Sequence, residues 1–194
     1  MKLSVILPTI SGREESLART VLAYQDTLQD VEHELIVVKD EPTWPAACNN
    51  GHEQSKGDII HFTADDLEPL PGWQVGALEW LESHDELPAA KVLNFSAEGE
   101  FDNAADGADG AITWFTRVPI MRRDQYERIG PWPEIIYLAD VWLSEKAHAL
   151  GIETRLIYSY AFVHHWSNIG RVDSPQNISK SWQDLKRLRE MYAK

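Results

Sequence analysis

Short apolar runs alternate with helical segments over the first 95 residues, and this alternation constrains the fold more than any other feature. Four runs rich in apolar and β-branched residues predict strands: Leu3–Leu7, Glu34–Val38, Asp58–Phe62 and Ala90–Phe95. Between them, apolar residues recur at helical spacing, as in the stripe of Leu17, Val21, Tyr24 and Leu28. Alternating strands and helices with short connections predict an α/β domain with a mainly parallel central sheet.

Local signals and later apolar runs predict the remaining elements. Ser11 and Glu14 have the spacing of a capping box, which predicts the start of the first helix. Further helices are predicted at residues 44–55, 71–84 and 137–150, at a short segment ending at Gly130, and after Ser174-Pro175. An acidic, Gly-containing loop is predicted at 96–110, and later strands are predicted at 111–117, 120–122, 153–158 and 160–164.

Charge and composition exclude several classes of partner. A formal net charge of −13 argues against nucleic acid and anionic membrane surfaces, because binding to polyanions needs clustered Lys and Arg. The one cysteine, Cys48, has no partner for an intramolecular disulfide, and no apolar stretch approaches the length of a membrane span. We therefore expect a cytoplasmic protein, and with 194 residues and no repeat or linker we expect one domain.

Acidic residues follow two of the predicted strands. Asp40 comes after the second strand, and the pair Asp65-Asp66, called the acidic pair below, comes after the third. Ligands of parallel α/β sheets bind outside the carboxyl ends of the strands. Carboxylates there can hold a divalent cation, which in turn can hold a nucleotide diphosphate. The alternative interpretation is that these residues are ordinary turn aspartates.

Eight segments form an ordered series along the chain: Ser4–Thr9, Leu35–Asp40, Asn49 with Gly51, Gly57–Phe62, Ala64-Asp65-Asp66 with Pro71-Gly72-Trp73, Arg123–Gly130, Ala139–Leu143, and His164. Taken in this order, they resemble the motifs of the family 2 glycosyltransferases of the GT-A fold, which is Rossmann-like. They extend over nearly the whole chain. The resemblance implies a nucleotide-binding half (1–95), an acceptor and catalytic half (96–173) and a C-terminal helix (174–194).

The resemblance also implies an activity: inverting, metal-dependent transfer of a sugar from a nucleoside-diphosphate sugar to a hydroxyl acceptor on a protein, glycan or lipid-linked sugar. It places Asp66 and His164 on Mn²⁺ or Mg²⁺, and Asp140 as the general base that takes the acceptor proton. The expected contacts to the nucleotide-sugar are Pro8, Thr9, Arg13, Asp40, Asn49 and Asp65. Neighbouring strand residues face opposite ways, so at most one of His164 and His165 can reach the metal.

Three positions depart from the family pattern and keep other functions open. Ala64 replaces the first acid of Asp-x-Asp, Ala139 replaces a Glu, and Cys48 stands at a position often filled by Arg. A non-catalytic module that binds a nucleotide-sugar or carbohydrate is one alternative. A sugar nucleotidyltransferase is another, although residues 8–12 are a poor version of the Gly-rich phosphate loop that such enzymes use.

Overall fold

The computed structural model describes residues 1–95, 107–113, 116–135, 138–165, 182–184, 186 and 189–190, together with the backbone of 101–103. Strands and helices alternate along most of it. The strands are β1 (Leu3–Thr9), β2 (His33–Lys39), β3 (Ile59–Phe62), β4 (Leu67–Pro69), β5 (Leu87–Phe95), β6 (Phe101–Asn103), β7 (Ile120–Arg122) and β8 (Thr154–His165). The helices are α1 (Glu14–Thr27), α2 (Trp44–Gln54), α3 (Trp73–Ser83), α4 (Arg123–Ile129) and α5 (Ala139–Ala149).

The first sheet has the strand order β2-β1-β3-β7. Strand β1 pairs in parallel with both β2 and β3, and β7 closes the edge antiparallel to β3. Parallel strands need both faces covered, and β1 is buried along its whole length. The predicted α/β class with a mainly parallel central sheet is confirmed for this sheet. It brings the carboxyl ends of β1, β2 and β3 to one edge, called the acidic edge below.

A second sheet has the order β4-β8-β5-β6. Strands β5 and β8 run parallel, while β4 pairs antiparallel with β8. The strand predicted at 90–95 therefore belongs to this second sheet and does not extend the first. The pairing of β4 with β8 matters for the site, because it sets Leu67, the residue after the acidic pair, opposite His164.

The core lies on both faces of the first sheet. Helices α2, α4 and α5 pack on one face, against Ile6, Ile60 and Phe62. Helices α1 and α3 and the second sheet pack on the other face, against Val5 and Leu7. Alternate residues of β1 thus enter different cores, as the two-residue period of a strand requires.

Three local predictions are wrong. Ser11 does not cap α1, because its backbone N–H and its hydroxyl both donate to Asp40. Among the described residues of 111–117 there is no strand, only an isolated bridge from Ile112 to Arg155. The two late strands are one strand, β8, whose pairing with β5 shifts where Ile157 faces Ala90 and Ala161 faces Lys91.

The last predicted helix begins outside the described residues, and the described residues from 182 to 190 are helical. Most of the predicted loop at 96–110 also lies outside them, but residues 101–103 form strand β6, so the loop prediction is wrong there. Among the helices described, none combines the length and apolar character that crossing a membrane requires.

Candidate functional site

The acidic pair lies in the turn between β3 and β4, and helix α1 fixes the backbone of that turn. The carbonyl oxygen of Asp65 accepts hydrogen bonds from the hydroxyls of Ser16 and Thr20, each at 2.8 Å. Ser16 and Thr20 are four residues apart and so share one face of α1. The turn is also bonded to β1, since the N–H of Thr63 donates to the carbonyl of Ile6. The two carboxylates are therefore held in place before any ligand binds.

The side chain of Asp65 is almost completely buried, with 1% of its surface exposed. Its Oδ2 accepts a hydrogen bond of 2.5 Å from the hydroxyl of Thr9. Its Oδ1 is buried without a hydrogen-bond partner, although Arg13 Nη2 lies 3.0 Å away at ion-pair distance. Burial raises the pKa of Asp65, and the Thr9 bond and the charge of Arg13 only partly oppose that rise.

Asp66 has the stronger cationic surroundings of the two. Its Oδ2 lies 2.6 Å from Arg13 Nη2 and 3.7 Å from His164 Nε2. Burial acts to raise the pKa of Asp66, but His164 and Arg13 outweigh it, so the pKa is lowered overall. Asp66 is thus the carboxylate better prepared to carry a negative charge toward a cation.

His164 is oriented by its neighbour on β5. Its Nδ1 lies 3.1 Å from the side-chain oxygen of Asn94, which stands opposite it in the strand register. Because that oxygen can only accept, Nδ1 is the donor in this contact, and Nε2 is the ring nitrogen that lies 3.7 Å from Asp66 Oδ2. The next residue, His165, faces the other way and bonds Glu68 at 2.8 Å. The structure therefore brings the side chain of His164 to the acidic pair, whereas His165 reaches it only through its backbone N–H, which donates to the carbonyl of Asp66.

The residues at the acidic pair can supply some of the ligands of a divalent cation, and phosphate oxygens could supply others. Two ligand atoms of one Mg²⁺ or Mn²⁺ lie at most about 4.2 Å apart, so the 3.7 Å between Asp66 Oδ2 and His164 Nε2 is within reach. The unpartnered Oδ1 of Asp65 is a further acceptor. The described residues contain no group of three or more His, Cys, Asp or Glu side chains with metal-site geometry. Such an ion would need water or phosphate oxygens to complete its coordination, as Mg²⁺ commonly does.

Asp40 lies on the same edge, one strand away. Its backbone has φ of 60°, its N–H donates to the carbonyl of Thr9, and its carboxylate accepts from Ser11 N at 2.7 Å and Ser11 Oγ at 2.8 Å. These bonds from Ser11 lower the pKa of Asp40. Pro8 and Thr9 pair with Val38 and Lys39 in register, so they border Asp40 directly. The exposed Asp40 carboxylate is held open to solvent, with the end of β1 between it and the acidic pair.

Asn49 makes its hydrogen bonds elsewhere. Its amide nitrogen donates to the carbonyl of Trp132, and its Oδ1 accepts from the N–H of Trp132 and the hydroxyl of Tyr126. Within the described part of the chain, no hydrogen bond joins Asn49 to the acidic pair. Gly51, its partner in the motif, permits close packing, because a Cβ there would lie 2.3 Å from Ile6 Cγ2. The motif thus fixes α2 between β1 and the segment before α5.

Asp140 lies in the first turn of α5, after Leu138, whose φ is 61°. Burial raises its pKa, while bonds from backbone N–H groups and the charge of Arg117 act against that rise. Among the residues that the structure describes, no ion pair or hydrogen bond connects Asp140 to the acidic pair. Asp140 is thus a partly buried carboxyl with raised proton affinity, supported by a separate element.

Sequence reasoning missed the residues that hold the site together. Ser16 and Thr20 bond the turn, Ser11 bonds Asp40, and Asn94 bonds His164. The hydroxyls on α1 had a detectable signal, since they recur at i and i+4 on the face toward the sheet. The Asn94 contact had none, because it depends on strand register across 70 residues.

No protein-family model matches the chain, and no curated protein matches it. Among solved structures, the chain is similar to the crystal structure of GalNAc-T7 with UDP, GalNAc and Mn²⁺, with a TM-score of 0.64. The match covers 97% of this chain and 48% of that chain, at 11% sequence identity. The fold is glycosyltransferase-like. The chain spans about half the length of that neighbour, and at this identity the likeness concerns the fold alone.

Proposed function

We propose that the chain is an inverting, metal-dependent glycosyltransferase that moves a sugar from a nucleoside-diphosphate sugar to a hydroxyl acceptor. One observation carries the proposal: Thr9, Arg13, Asp65, Asp66 and His164 converge at the carboxyl ends of β1 and β3 and the end of β8. Ligands of α/β sheets bind at this edge. A fold neighbour that was crystallised with UDP and Mn²⁺ makes a nucleotide diphosphate the natural candidate.

The donor would lie along the acidic edge. Asp40, with Pro8 and Thr9 beside it, would bind the nucleoside, because an exposed and ionised carboxylate can accept hydrogen bonds from ribose or base. Arg13 would contact the diphosphate, and Asp65 the ribose. Asp66 and His164 would hold Mn²⁺ or Mg²⁺, which neutralises the charge that develops on a leaving diphosphate. Asn49, which the resemblance also implies as a donor contact, is left out of the proposed donor site, because its hydrogen bonds go to Trp132 and Tyr126.

Asp140 is the proposed general base. The acceptor oxygen would bond to the anomeric carbon while the bond from that carbon to the diphosphate breaks, and Asp140 would take the proton of the acceptor hydroxyl. Attack opposite the leaving group inverts the anomeric centre. A raised pKa suits this role, because a carboxylate of higher pKa is the stronger base.

The test is a binding panel. Calorimetry with UDP, GDP, dTDP and their sugars, with and without Mn²⁺, should find one nucleotide that binds the full chain only when Mn²⁺ is present. Asp66→Ala should weaken that binding by about a hundredfold or more, because it removes the better prepared carboxylate ligand. Asp124→Ala, at an exposed carboxylate on α4, is the matched control and should bind as the wild type does. If none of the nucleotides binds with Mn²⁺, the proposed function is wrong.

A further inference from the structure

Arg13 already supplies a positive charge to the acidic pair. It is the N-cap residue of α1, and its side chain is 14% exposed. A single nitrogen, Nη2, lies 2.6 Å from Asp66 Oδ2 and 3.0 Å from Asp65 Oδ1. The guanidinium therefore contacts the same two carboxylates on which a divalent cation would depend.

The contact leaves bonding capacity unused on both sides. Arg13 Nε and Asp65 Oδ1 are both buried without a hydrogen-bond partner. Arginine binds a carboxylate or phosphate best through two parallel N–H bonds, and the contact here uses one nitrogen shared between two carboxylates. Buried polar atoms without partners are costly, so a ligand that satisfies them would be favoured. Arg13 would therefore form more hydrogen bonds with a bidentate partner than it forms with the acidic pair.

The charges of the site also favour a change of partner for Arg13. Two ionised carboxylates and one guanidinium give the cluster a net charge of −1. A divalent cation bound to Asp66 would meet the positive charge of Arg13 at close range in a partly buried site, where repulsion is poorly screened. A diphosphate offers Arg13 a bidentate anionic partner and removes that conflict.

We propose that Arg13 is the resident counter-cation of the acidic pair and competes with the divalent cation for Asp66. The cation binds weakly while Arg13 pairs with Asp66. A nucleotide diphosphate that draws Arg13 away makes room for the cation, so nucleotide and cation bind cooperatively. This inference rests on the proposed function for the identity of the diphosphate ligand, while the competition itself involves only the cation and this chain.

The experiment measures binding of Mn²⁺ alone to the full chain, by the electron paramagnetic resonance signal of free Mn²⁺. Arg13→Gln should bind Mn²⁺ at least about tenfold more tightly than the wild type without nucleotide. Arg13→Met should show the same gain, which excludes the new amide oxygen as a metal ligand and provides a second variant if the first does not fold. Arg128→Gln, which removes an exposed charge from α4, is the matched control and should leave the affinity unchanged.

A further variant locates the site. Adding Asp66→Asn to Arg13→Gln should abolish the gain, because the ion is expected on that carboxylate. Unchanged or weaker Mn²⁺ binding in the Arg13 variants would overturn the inference, and so would a gain that survives Asp66→Asn.

A UDP titration separates this inference from the proposed function. Saturating UDP should tighten Mn²⁺ binding to the wild type more than to Arg13→Gln, because the variant has no guanidinium to displace. A gain of Mn²⁺ affinity in the variants, with no nucleotide binding in any form, would support the competition and count against the glycosyltransferase. Nucleotide binding that requires Mn²⁺, combined with an affinity for Mn²⁺ alone that Arg13→Gln leaves unchanged, would support the proposed function and overturn the competition.

Discussion

The acidic edge and the contact between α2 and the segment around Trp132, which precedes α5, both carry polar side chains from the motifs of the sequence analysis. They differ in how much hydrogen-bonding capacity remains. At the acidic edge, Asp65 Oδ1 and Arg13 Nε are buried without a hydrogen-bond partner, and Asp66 pairs with Arg13 and lies 3.7 Å from His164. At the other contact, both amide atoms of Asn49 bond the backbone of Trp132, and the buried atom left without a partner there is an uncharged indole nitrogen, Trp132 Nε1. Unused capacity on charged groups that share a fixed turn marks a binding site, whereas polar atoms bonded to their own chain mark a scaffold.

Asp140 belongs to neither region, and its substitution tests whether the acidic edge serves catalysis or binding alone. Asp140→Asn should lower donor turnover about 10²- to 10⁴-fold, since it removes a proton acceptor without changing the side-chain volume. Nucleotide affinity should stay within about threefold of wild type. Turnover is measured as release of nucleoside diphosphate, with Asp124→Asn, at an exposed acid on α4, as the control.

Two results would change the interpretation of Asp140. Turnover at the wild-type rate in Asp140→Asn means that the base lies elsewhere. Donor binding in both forms with turnover in neither identifies a non-catalytic nucleotide-sugar-binding module, one of the alternatives that the sequence leaves open.

Substitution of Asn49 tests most directly whether the contact between α2 and Trp132 is a scaffold and not part of the binding site. Asn49→Ala should lower the free energy of unfolding by about 2–3 kcal/mol, because it leaves the backbone N–H and carbonyl of Trp132 without their partners. Nucleotide affinity should change less than about threefold. Urea unfolding measures the first quantity and calorimetry the second.

The neighbouring residue supplies the control for that test. Asn50→Ala removes a partly buried bond to Glu41 and an exposed bond from Gln54, and it should lower the free energy of unfolding by less than about 1 kcal/mol. Stability near wild type combined with a large loss of nucleotide affinity in Asn49→Ala would move Asn49 from the scaffold to the donor site.

The contacts of Asn49 in the structure illustrate which features of the site the sequence can predict. The helical and strand periods of the first 95 residues give the elements, and parallel topology then places Asp40 and the acidic pair on one edge. Which motif residues keep free polar atoms depends on contacts across the chain, such as the bonds of Asn49 to Trp132, 83 residues away. The second sheet was missed for a similar reason, because the partners of β5 lie mainly in β8, which is distant in sequence.

The smallest expected effect is a change in the pH dependence of stability, and it comes from the buried network of His61, Tyr24 and Thr63 beneath the acidic edge. His61 is fully buried, and its Nε2 lies 2.7 Å from the hydroxyl of Tyr24, which also donates to Thr63 just before the acidic turn. Burial lowers the pKa of His61 to about 3, whereas the unfolded chain has its ordinary value of about 6.5. Below pH 6.5 the unfolded state therefore takes up a proton that the folded state does not, and stability falls as the pH falls toward 3.

The change in stability between two pH values measures this contribution. From pH 7 to pH 5 the wild type should lose about 2 kcal/mol more than His61→Gln, because the variant lacks the proton that only the unfolded state binds. Urea unfolding at both pH values gives the difference, with His84→Gln, at an exposed histidine, as the control. Equal losses in wild type and His61→Gln would mean that His61 accepts a proton in the folded chain. The network under Thr63 would then carry a charge of its own toward the acidic pair, and the acidic edge could not be treated as electrostatically separate from the core beneath it.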